Sequence, residues 1–288
     1  MTIEEVIREA ILAVFSSPHL RPMLFLKGGA ALRLLEPGQP RLSLDIDFST
    51  DTTIGDPESF FGEMATALQD HFFKLGLDAI DARHVRRPRR PRAGRDGFWG
   101  GWVFSFKLSP HSDADESLEK RIRQAMIPTG SHSSKIEIQL SEHEYCEIID
   151  TIKMGQVEIN LYSPALMVLE KIRAICQQHP AYRFSLNKNR ARDFFDIFTL
   201  LKTQRNDPKF ILDLAYHIDA VFEAKQVPLT IAIEGGMFEP DFIDGQEFGF
   251  LSVRDAVRGG KVQDFSFYVE QLKILVELVK KARIEIGK

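Results

Sequence analysis

The chain has 288 residues, of which 44% are hydrophobic and 27% are charged. These ordinary globular values leave room for a sizeable core without disulfide or metal staples. The formal net charge of -4 excludes a chain that binds polyanions as a whole, so any such role must come from a local patch. No segment approaches the roughly 20 apolar residues that span a bilayer, and no membrane partner is expected.

The compartment predicted from the sequence is the cytoplasm. The acidic, amphipathic first segment lacks the basic region and long apolar core of a secretory signal. The two cysteines, Cys146 and Cys176, have neither a metal-ligand nor a redox spacing. Reduced thiols are the expected state.

Helices and strands alternate in the first quarter of the chain. Apolar residues recur at helical spacing over 3–15, which predicts an amphipathic helix. The apolar run 23–26 is typical of a buried strand, and the helix formers of 30–35 follow it. Apolar and polar residues alternate over 42–48, which predicts a half-buried strand. A further helix is predicted over 57–75.

The segment 83–101 has a different character, with the sequence RHVRRPRRPRAGRDGFWGG. It is too basic, and too often interrupted by Pro and Gly, for a regular element. Dense like charges repel each other and favour an extended, solvated loop. We therefore predict a loop here.

The later chain changes from strands to helices near residue 160. Strands are predicted over 102–108, 136–140 and 156–161. Ser163 then suits an N-cap with Pro164 at the first helical position, and helices fill much of the remainder. The predicted fold class is α+β, with a first domain over 1–160 and a mainly helical domain over 161–288.

Asp45 and Asp47 are the first candidate site residues. They are two residues apart on one strand, so their side chains leave the same face. Two such carboxylates repel each other unless a cation lies between them, and Mg²⁺ is usually held by a few carboxylates together with substrate phosphates. Alone, this D-x-D pattern is more often the solvated face of an edge strand.

The segment upstream strengthens that interpretation. Lys27-Gly28-Gly29 lies where a buried strand turns into a helix. Glycines let the backbone approach a ligand closely, and a helix N-terminus offers N–H groups to phosphate oxygens. A tight turn is the alternative for the Gly-Gly pair by itself.

The segments LKGGAALRLL and RLSLDIDFS together resemble the signature of polymerase-β-like minimal nucleotidyltransferases. More narrowly, they are similar to the AbiEii/AbiGii-type toxin family, in which K-G-G-x-x-L and R-x-S-x-D-h-D-h recur (h is apolar). The resemblance implies a nucleotidyltransferase-fold mixed sheet flanked by helices. It also implies a third carboxylate on a later strand, for which Glu137 is the candidate and Glu158 the rival. One departure is Ala30, where the family commonly has Ser or Thr.

A second matching set lies in the C-terminal half. The family shows E-K-h-x-A on a helix and later R-D-h-x-D, and this chain has LEKIRA and NKNRARDFFD. The resemblance implies that Lys171 and Asp193 complete the active-site cleft and that Lys171 binds the triphosphate. Asp196 is expected to be a supporting residue. A compact ammonium can neutralise phosphate charge during transfer. Without the first motif, an exposed helix lysine and local pairing of the acids with neighbours such as Arg190 would be favoured.

Positive charge is concentrated within ten residues, at Arg86, Arg87, Arg89, Arg90, Arg92 and Arg95. Phosphate contacts are a natural use for these arginines, with Phe98, Trp99 and Trp102 near enough to stack on bases. A solvated loop followed by packed aromatics fits equally well. An acidic antitoxin protein would also suit the patch.

Together the motifs predict transfer of a nucleoside monophosphate from an NTP. Asp45, Asp47 and Glu137 are the predicted ligands of one or two Mg²⁺ ions, and an acceptor hydroxyl attacks the α-phosphorus while pyrophosphate leaves. Glu137 or Asp193 would take the proton or assist the metal. The predicted nucleotide contacts are Lys27, Gly28, Gly29, Arg41, Ser43 and Lys171.

The resemblance implies an RNA acceptor, such as the 3′ end of tRNA, growth arrest as the outcome, and a cognate antitoxin as a partner. Two alternatives stay open on the sequence. One is kinase-like transfer of a γ-phosphoryl group to a protein or small molecule, and the other is a non-catalytic module that binds nucleotide or RNA.

Overall fold

The structure is a computed structural model that describes residues 1–35, 45–89, 94, 97–112, 116–204, 207–257 and 262–288. It contains two compact units, the first with Met1–Leu34 and the described residues from Asp45 to Leu161, and the second with Leu35 and the described residues from Tyr162 to Lys288. The helices are α1 (Ile3–Ser16), α2 (Gly28–Leu35), α3 (Pro57–Phe73), α4 (Leu118–Arg123), α5 (Pro164–Cys176), α6 (Ala191–Gln204), α7 (Pro208–Glu223), α8 (Thr230–Ile233), α9 (Pro240–Glu247), α10 (Leu251–Ala256) and α11 (Phe265–Glu285). The strands are β1 (Phe25–Lys27), β2 (Ile46–Ser49), β3 (Leu77–Arg87), β4 (Gly101–Pro110), β5 (Ile136–Ser141), β6 (Ile149–Met154) and β7 (Val157–Tyr162).

The first unit is built on one seven-stranded mixed sheet with the strand order β3-β4-β5-β2-β1-β7-β6. The pairs β1/β7 and β2/β5 are parallel, while β1/β2, β4/β5 and β3/β4 are antiparallel. The central strands are short and largely buried, and the two edges are formed by β3 and β6. The fold class predicted from the sequence, an α+β chain with a mixed sheet and flanking helices, is confirmed.

One face of the sheet is apolar and packs against α1 and α3. Thr2 and Glu5 form a capping box that fixes the start of α1, and Phe15 of that helix lies edge-on to Phe48 of β2, with ring centroids 5.6 Å apart. Phe61 of α3 stacks on Phe104 of β4 at 5.8 Å. Burying each of these rings removes apolar surface from water and contributes roughly 2–3 kcal/mol. The opposite face is therefore the one left for polar side chains.

From Pro164 onward, the regular elements that the structure describes in the second unit are all helices. Ser163 is the N-cap of α5, as predicted, because its Oγ accepts a hydrogen bond from the Leu166 N–H at 3.2 Å. The helices α5, α6, α7 and α11 pack together. Phe194 of α6 lies edge-on to Phe265 of α11, with ring centroids 5.0 Å apart. No described helix of either unit is long and apolar enough to cross a membrane.

The predicted loop over 83–101 is wrong for its first part. Arg83 to Arg87 belong to β3, which pairs along its length with β4. The strand lies at the edge of the sheet, where charged side chains are tolerated and help to prevent edge-to-edge association. The charge density that argued against a central strand is thus compatible with an edge strand.

Candidate functional site

A row of side chains crosses the polar face of the sheet at Asp47. Backbone pairing places Lys27 beside Asp47, and Asp47 beside Gln139 of β5. The row continues from Gln139 to Val103 of β4, and from there to Val85 of β3. Residues paired directly across neighbouring strands share a face, so these five side chains leave the sheet away from α1 and α3.

The start of α2 lies against the carboxylate of Asp47. Gly28 has a φ of +68°, in the left-handed region that other residues rarely adopt. A Cβ added to Gly28 would lie 2.5 Å from Asp47 Oδ2. Because the first N–H groups of a helix have no acceptor within that helix, Gly28 and Gly29 bring hydrogen-bond donors close to this carboxylate. The Gly-Gly turn and the second aspartate, predicted as parts of one site, lie together.

Asp45 and Glu137 lie one row further along the same face. The register pairs Ile46 with Ile138, so its extension by one residue places Asp45 level with Glu137. Asp45 is exposed, and the Glu137 carboxylate accepts a hydrogen bond from Lys135 Nζ at 2.5 Å. Sheet register thus brings the three predicted carboxylates to one region of one face.

Glu158, the rival third acid, lies elsewhere on the sheet. Leu161 of β7 pairs with Leu26, so Glu158 is four residues before the level of Lys27, about 13 Å along the strand. Its carboxylate is instead 3.4 Å from Arg21 Nη1 and 3.9 Å from Lys153 Nζ. The register therefore favours Glu137 over Glu158 as a neighbour of the aspartate pair.

The aspartate pair fits a metal ion that its substrate helps to hold. Within the described parts of the chain, no three His, Cys, Asp or Glu side chains are close enough to hold a metal together. Asp45 and Asp47 supply two carboxylates, and Mg²⁺ commonly takes one or two carboxylates with the remaining positions filled by phosphate oxygens and water. Glu137 is engaged by Lys135. The donor set therefore suits a magnesium–triphosphate complex better than a site built from protein ligands alone.

The ion pair between Lys27 and Glu144 was not predicted from the sequence. Lys27 Nζ lies 3.5 Å from Glu144 Oε1, and the two side chains are only 16% and 7% exposed. The Glu144 N–H donates to the Thr50 carbonyl at 3.1 Å, which ties the segment after β5 to the end of β2. Because the pair joins residues 117 positions apart, no local pattern could have revealed it.

The second unit brings Lys171, Asp193 and Asp196 together. Lys171 Nζ donates hydrogen bonds to Asp193 Oδ1 at 3.0 Å and to Asp196 Oδ2 at 2.7 Å. Burial acts to lower the pKa of Lys171, but the carboxylates of Asp196 and Asp193 outweigh it and raise the pKa above its ordinary value. Lys171 is therefore a fixed, protonated cation and not a candidate base. We call these three residues the Lys171 cluster.

The start of α6 is held by contacts around Asn189. Asn189 Oδ1 accepts from the Ala191 N–H at 3.0 Å, and its Nδ2 donates to the Gln246 carbonyl at 2.7 Å. Gln246 Oε1, which is buried, accepts from the Arg190 N–H at 2.6 Å. Arg190 Nη1 lies 3.6 Å from Asp193 Oδ2. The local pairing of Asp193 with Arg190 weighed above is thus present together with the contact to Lys171.

The predicted nucleic-acid-binding arginines separate onto two faces. Arg86 lies on the α3 side, with its guanidinium 5.3 Å from the centroid of Trp102 and Nη1 3.1 Å from Glu142 Oε2. Glu142 is fully buried and also accepts from the Ile54 N–H at 2.9 Å and from Trp102 Nε1 at 3.1 Å. The guanidinium of Arg86 therefore neutralises the charge of the buried Glu142 carboxylate.

Arg87 and Arg89, in contrast, are exposed, and Arg87 lies on the polar face. Of the aromatic residues that follow, Phe98 is buried and Trp102 packs against Phe61 at 5.4 Å between ring centroids. The alternative in which these aromatics pack within the fold fits both of them. Five of the residues named from the sequence lie outside the described parts of the chain: Arg41, Ser43, Arg90, Arg92 and Arg95.

Comparison with known proteins gives a match to a protein family and similarity to several solved structures, two of which are described here. The candidate nucleotidyltransferase from H. pylori is 13% identical, with a TM-score of 0.44 over 99% of this chain and 96% of that one. An antigenic nucleotidyltransferase-like protein from Paracoccidioides brasiliensis is 14% identical, with a TM-score of 0.37 over 76% of this chain and 92% of that one. No curated protein matches the sequence. The profile of the family described as "Nucleotidyl transferase AbiEii toxin, Type IV TA system" matches residues 10–248, so the chain belongs to the AbiEii nucleotidyltransferase toxin family.

Proposed function

We propose that this protein transfers a nucleoside monophosphate from an NTP to a hydroxyl of an RNA acceptor and releases pyrophosphate. The observation that carries the proposal is the contact between Gly28 and Asp47, where an added Cβ would lie 2.5 Å from Oδ2. A bound triphosphate needs N–H donors for its oxygens and carboxylates for its metal in one place. A glycine helix start against an acidic strand provides both.

Each residue of the first unit would have a separate role. Asp45 and Asp47 would hold one or two Mg²⁺ ions, which supply charge neutralisation on the triphosphate. Gly28 and Gly29 would donate backbone hydrogen bonds to phosphate oxygens. Lys27 would add positive charge, and Glu144 at 3.5 Å would position its ammonium. Glu137 would either assist the metal or take the proton from the attacking hydroxyl.

The Lys171 cluster would serve the same reaction. The raised pKa of Lys171 keeps its ammonium charged, as contact with a triphosphate requires. A phosphate oxygen would compete with Asp193 and Asp196 for the three N–H donors of the ammonium. Asp193, in the first turn of α6, would be a second candidate for the proton acceptor.

Membership of the AbiEii family supports a role as the toxin of a toxin–antitoxin pair. We propose that the protein acts in the cytoplasm and that its acceptor is RNA, specifically the 3′ end of tRNA. Modification of this acceptor would arrest cell growth. A cognate antitoxin would be the protein partner. These finer assignments rest on the family resemblance of the motifs and on the basic surface of β3.

A transfer assay tests the proposal. The protein is incubated with each α-³²P-labelled NTP, Mg²⁺ and total RNA, and label in RNA is measured on a denaturing gel. Asp47→Asn should reduce labelling by at least about 100-fold, the size expected on losing a group that stabilises transition-state charge. Asp70→Asn, at an exposed position on α3, removes the same charge and should leave labelling unchanged. Absence of labelled RNA with the wild type, or as much labelled RNA with Asp47→Asn as with the wild type, would contradict the proposal.

A further inference from the structure

We propose that a recess on the polar face of the sheet binds the phosphate backbone of a single-stranded acceptor beside its reacting end. This inference rests on the proposed function and deepens it by naming the surface that holds the acceptor. The recess has a volume of about 460 Å³. We call it the basic recess, and its lining residues are Val85, Arg87, Arg89, Val103, Ser105 and Lys135.

The basic recess and the aspartate pair lie on the same face of one sheet. Val103 pairs with Gln139, and Gln139 pairs with Asp47, so the recess begins two strands from the carboxylate. At about 4.8 Å between neighbouring strands, that separation is about 10 Å. A single-stranded RNA that lies in the recess therefore reaches Asp47 without crossing the edge of the sheet.

The charges of the recess favour an anion. Lys135 is already paired with Glu137, with Nζ 2.5 Å from Oε1. Arg87 and Arg89 are exposed, and the described residues provide neither of them with an ion-pair partner. A guanidinium offers a planar fork of donors that matches a phosphate group, so these two arginines supply the phosphate contacts.

The remaining lining residues favour contact with the backbone over base recognition. Val85 and Val103 form an aliphatic floor, which suits a sugar, and Ser105 adds one hydroxyl group. None of the described residues that line the recess is aromatic, so they form no stacking platform for bases. Contacts to phosphate and sugar position a nucleic acid without reading its sequence. The recess should therefore tolerate different acceptor sequences.

The size of the recess argues for a nucleic-acid strand over an acidic protein. A volume of about 460 Å³ is that of a ligand pocket, which typically spans 300–1,000 Å³. A stable protein interface covers about 800 Å² on each partner and is usually much flatter. Arg86, which an acidic partner could otherwise use, is committed to Glu142 on the opposite face.

Binding of a fluorescein-labelled single-stranded oligoribonucleotide, followed by anisotropy, tests the proposal with the full chain. The variant R87E/R89E reverses both charges in the recess. The control R123E/K281E makes the same change in net charge at exposed positions on α4 and α11. We expect R87E/R89E to weaken binding at least 10-fold at 0.1 M salt and the control to change it less than twofold. Loss of two contacts should also reduce the slope of log K against log[salt] by about 1.4.

Several results would overturn the inference. Equal weakening by both double variants would show a general charge effect, and equal loss of Mg-ATP binding in R87E/R89E would place the recess in the nucleotide site. A poly-glutamate peptide of matched charge that binds as tightly as RNA would favour an acidic protein partner.

Transfer activity separates this inference from the proposed function. Wild-type protein that binds RNA through Arg87 and Arg89 yet transfers no nucleotide contradicts the proposed function and leaves the recess standing. An R87E/R89E variant that transfers nucleotides with an unchanged KM for RNA contradicts the recess alone.

Discussion

Replacement of Lys171 by methionine should destabilise the second unit in addition to removing activity. Lys171 Nζ lies 3.0 Å from Asp193 Oδ1 and 2.7 Å from Asp196 Oδ2, and the Asp196 side chain is only 2% exposed. Methionine preserves most of the side-chain volume, so the main change is loss of the ammonium. A carboxylate buried without its cation carries a large desolvation cost.

The expected magnitude follows from those contacts. Removing one partner of a buried ion pair typically costs 3–5 kcal/mol. Arg190 stays 3.6 Å from Asp193 and still neutralises part of the negative charge. We therefore expect the lower end of this range, a loss of about 3 kcal/mol in the free energy of unfolding. For a unit of this size, 1 kcal/mol corresponds to roughly 4 °C, which gives a fall in Tm of about 12 °C. The double variant K171M/D196N removes one of the two carboxylates and should recover about half of the loss.

Calorimetry and urea unfolding at two pH values measure the effect. The pKa of Lys171 is raised in the folded protein because Asp196 and Asp193 outweigh the effect of burial. A raised folded pKa means that the stabilisation is fully present below the unfolded pKa, about 10.4, and is lost as pH rises through the folded pKa. The difference between wild type and Lys171→Met should therefore be equal at pH 7 and pH 9. A variant as stable as the wild type, or a difference that disappears by pH 9, would refute this reasoning.

Two further substitutions test the first unit. Arg86→Ala should lower its free energy of unfolding by about 2 kcal/mol, because the fully buried Glu142 carboxylate loses the guanidinium that neutralises it, while RNA binding should not change. Weakened RNA binding with unchanged thermal stability would contradict that structural role. Gly28→Ala should cost about 1–2 kcal/mol through its positive φ and should also abolish Mg-ATP binding, since the new Cβ would lie 2.5 Å from Asp47 Oδ2. Gly55→Ala is the matched control, because nothing lies within 4 Å of its added Cβ; equal ATP binding by both alanine variants would count against the proposed phosphate cradle.

The parts of the site that the sequence could predict are those with local patterns. Alternation over 136–140 predicted a strand, and the structure has β5 there. The glycines after a short apolar run predicted the beginning of α2, which starts at Gly28. Period-two and helical patterns depend on neighbouring residues only, so a single sequence reveals them.

The parts that could not be predicted depend on contacts between distant segments. Arg86 has a structural role only because Glu142, far along the chain, is buried beside it. The charges on both faces of β3 concealed its alternation, and β6 and α4 were not predicted at all. Lys171 and Asp193 were both predicted as site residues, but their direct contact depends on how α5 and α6 pack.

Parallel reactions with α-³²P- and γ-³²P-labelled NTP, Mg²⁺ and total RNA test the central claim most directly. The account predicts α-label in RNA and γ-label in pyrophosphate, with both products lost in Asp47→Asn and retained in Asp70→Asn. The γ-label appearing in an acceptor with release of nucleoside diphosphate would show kinase-like chemistry and contradict the account. Nucleotide transfer by Asp47→Asn at the wild-type rate would contradict the account as well.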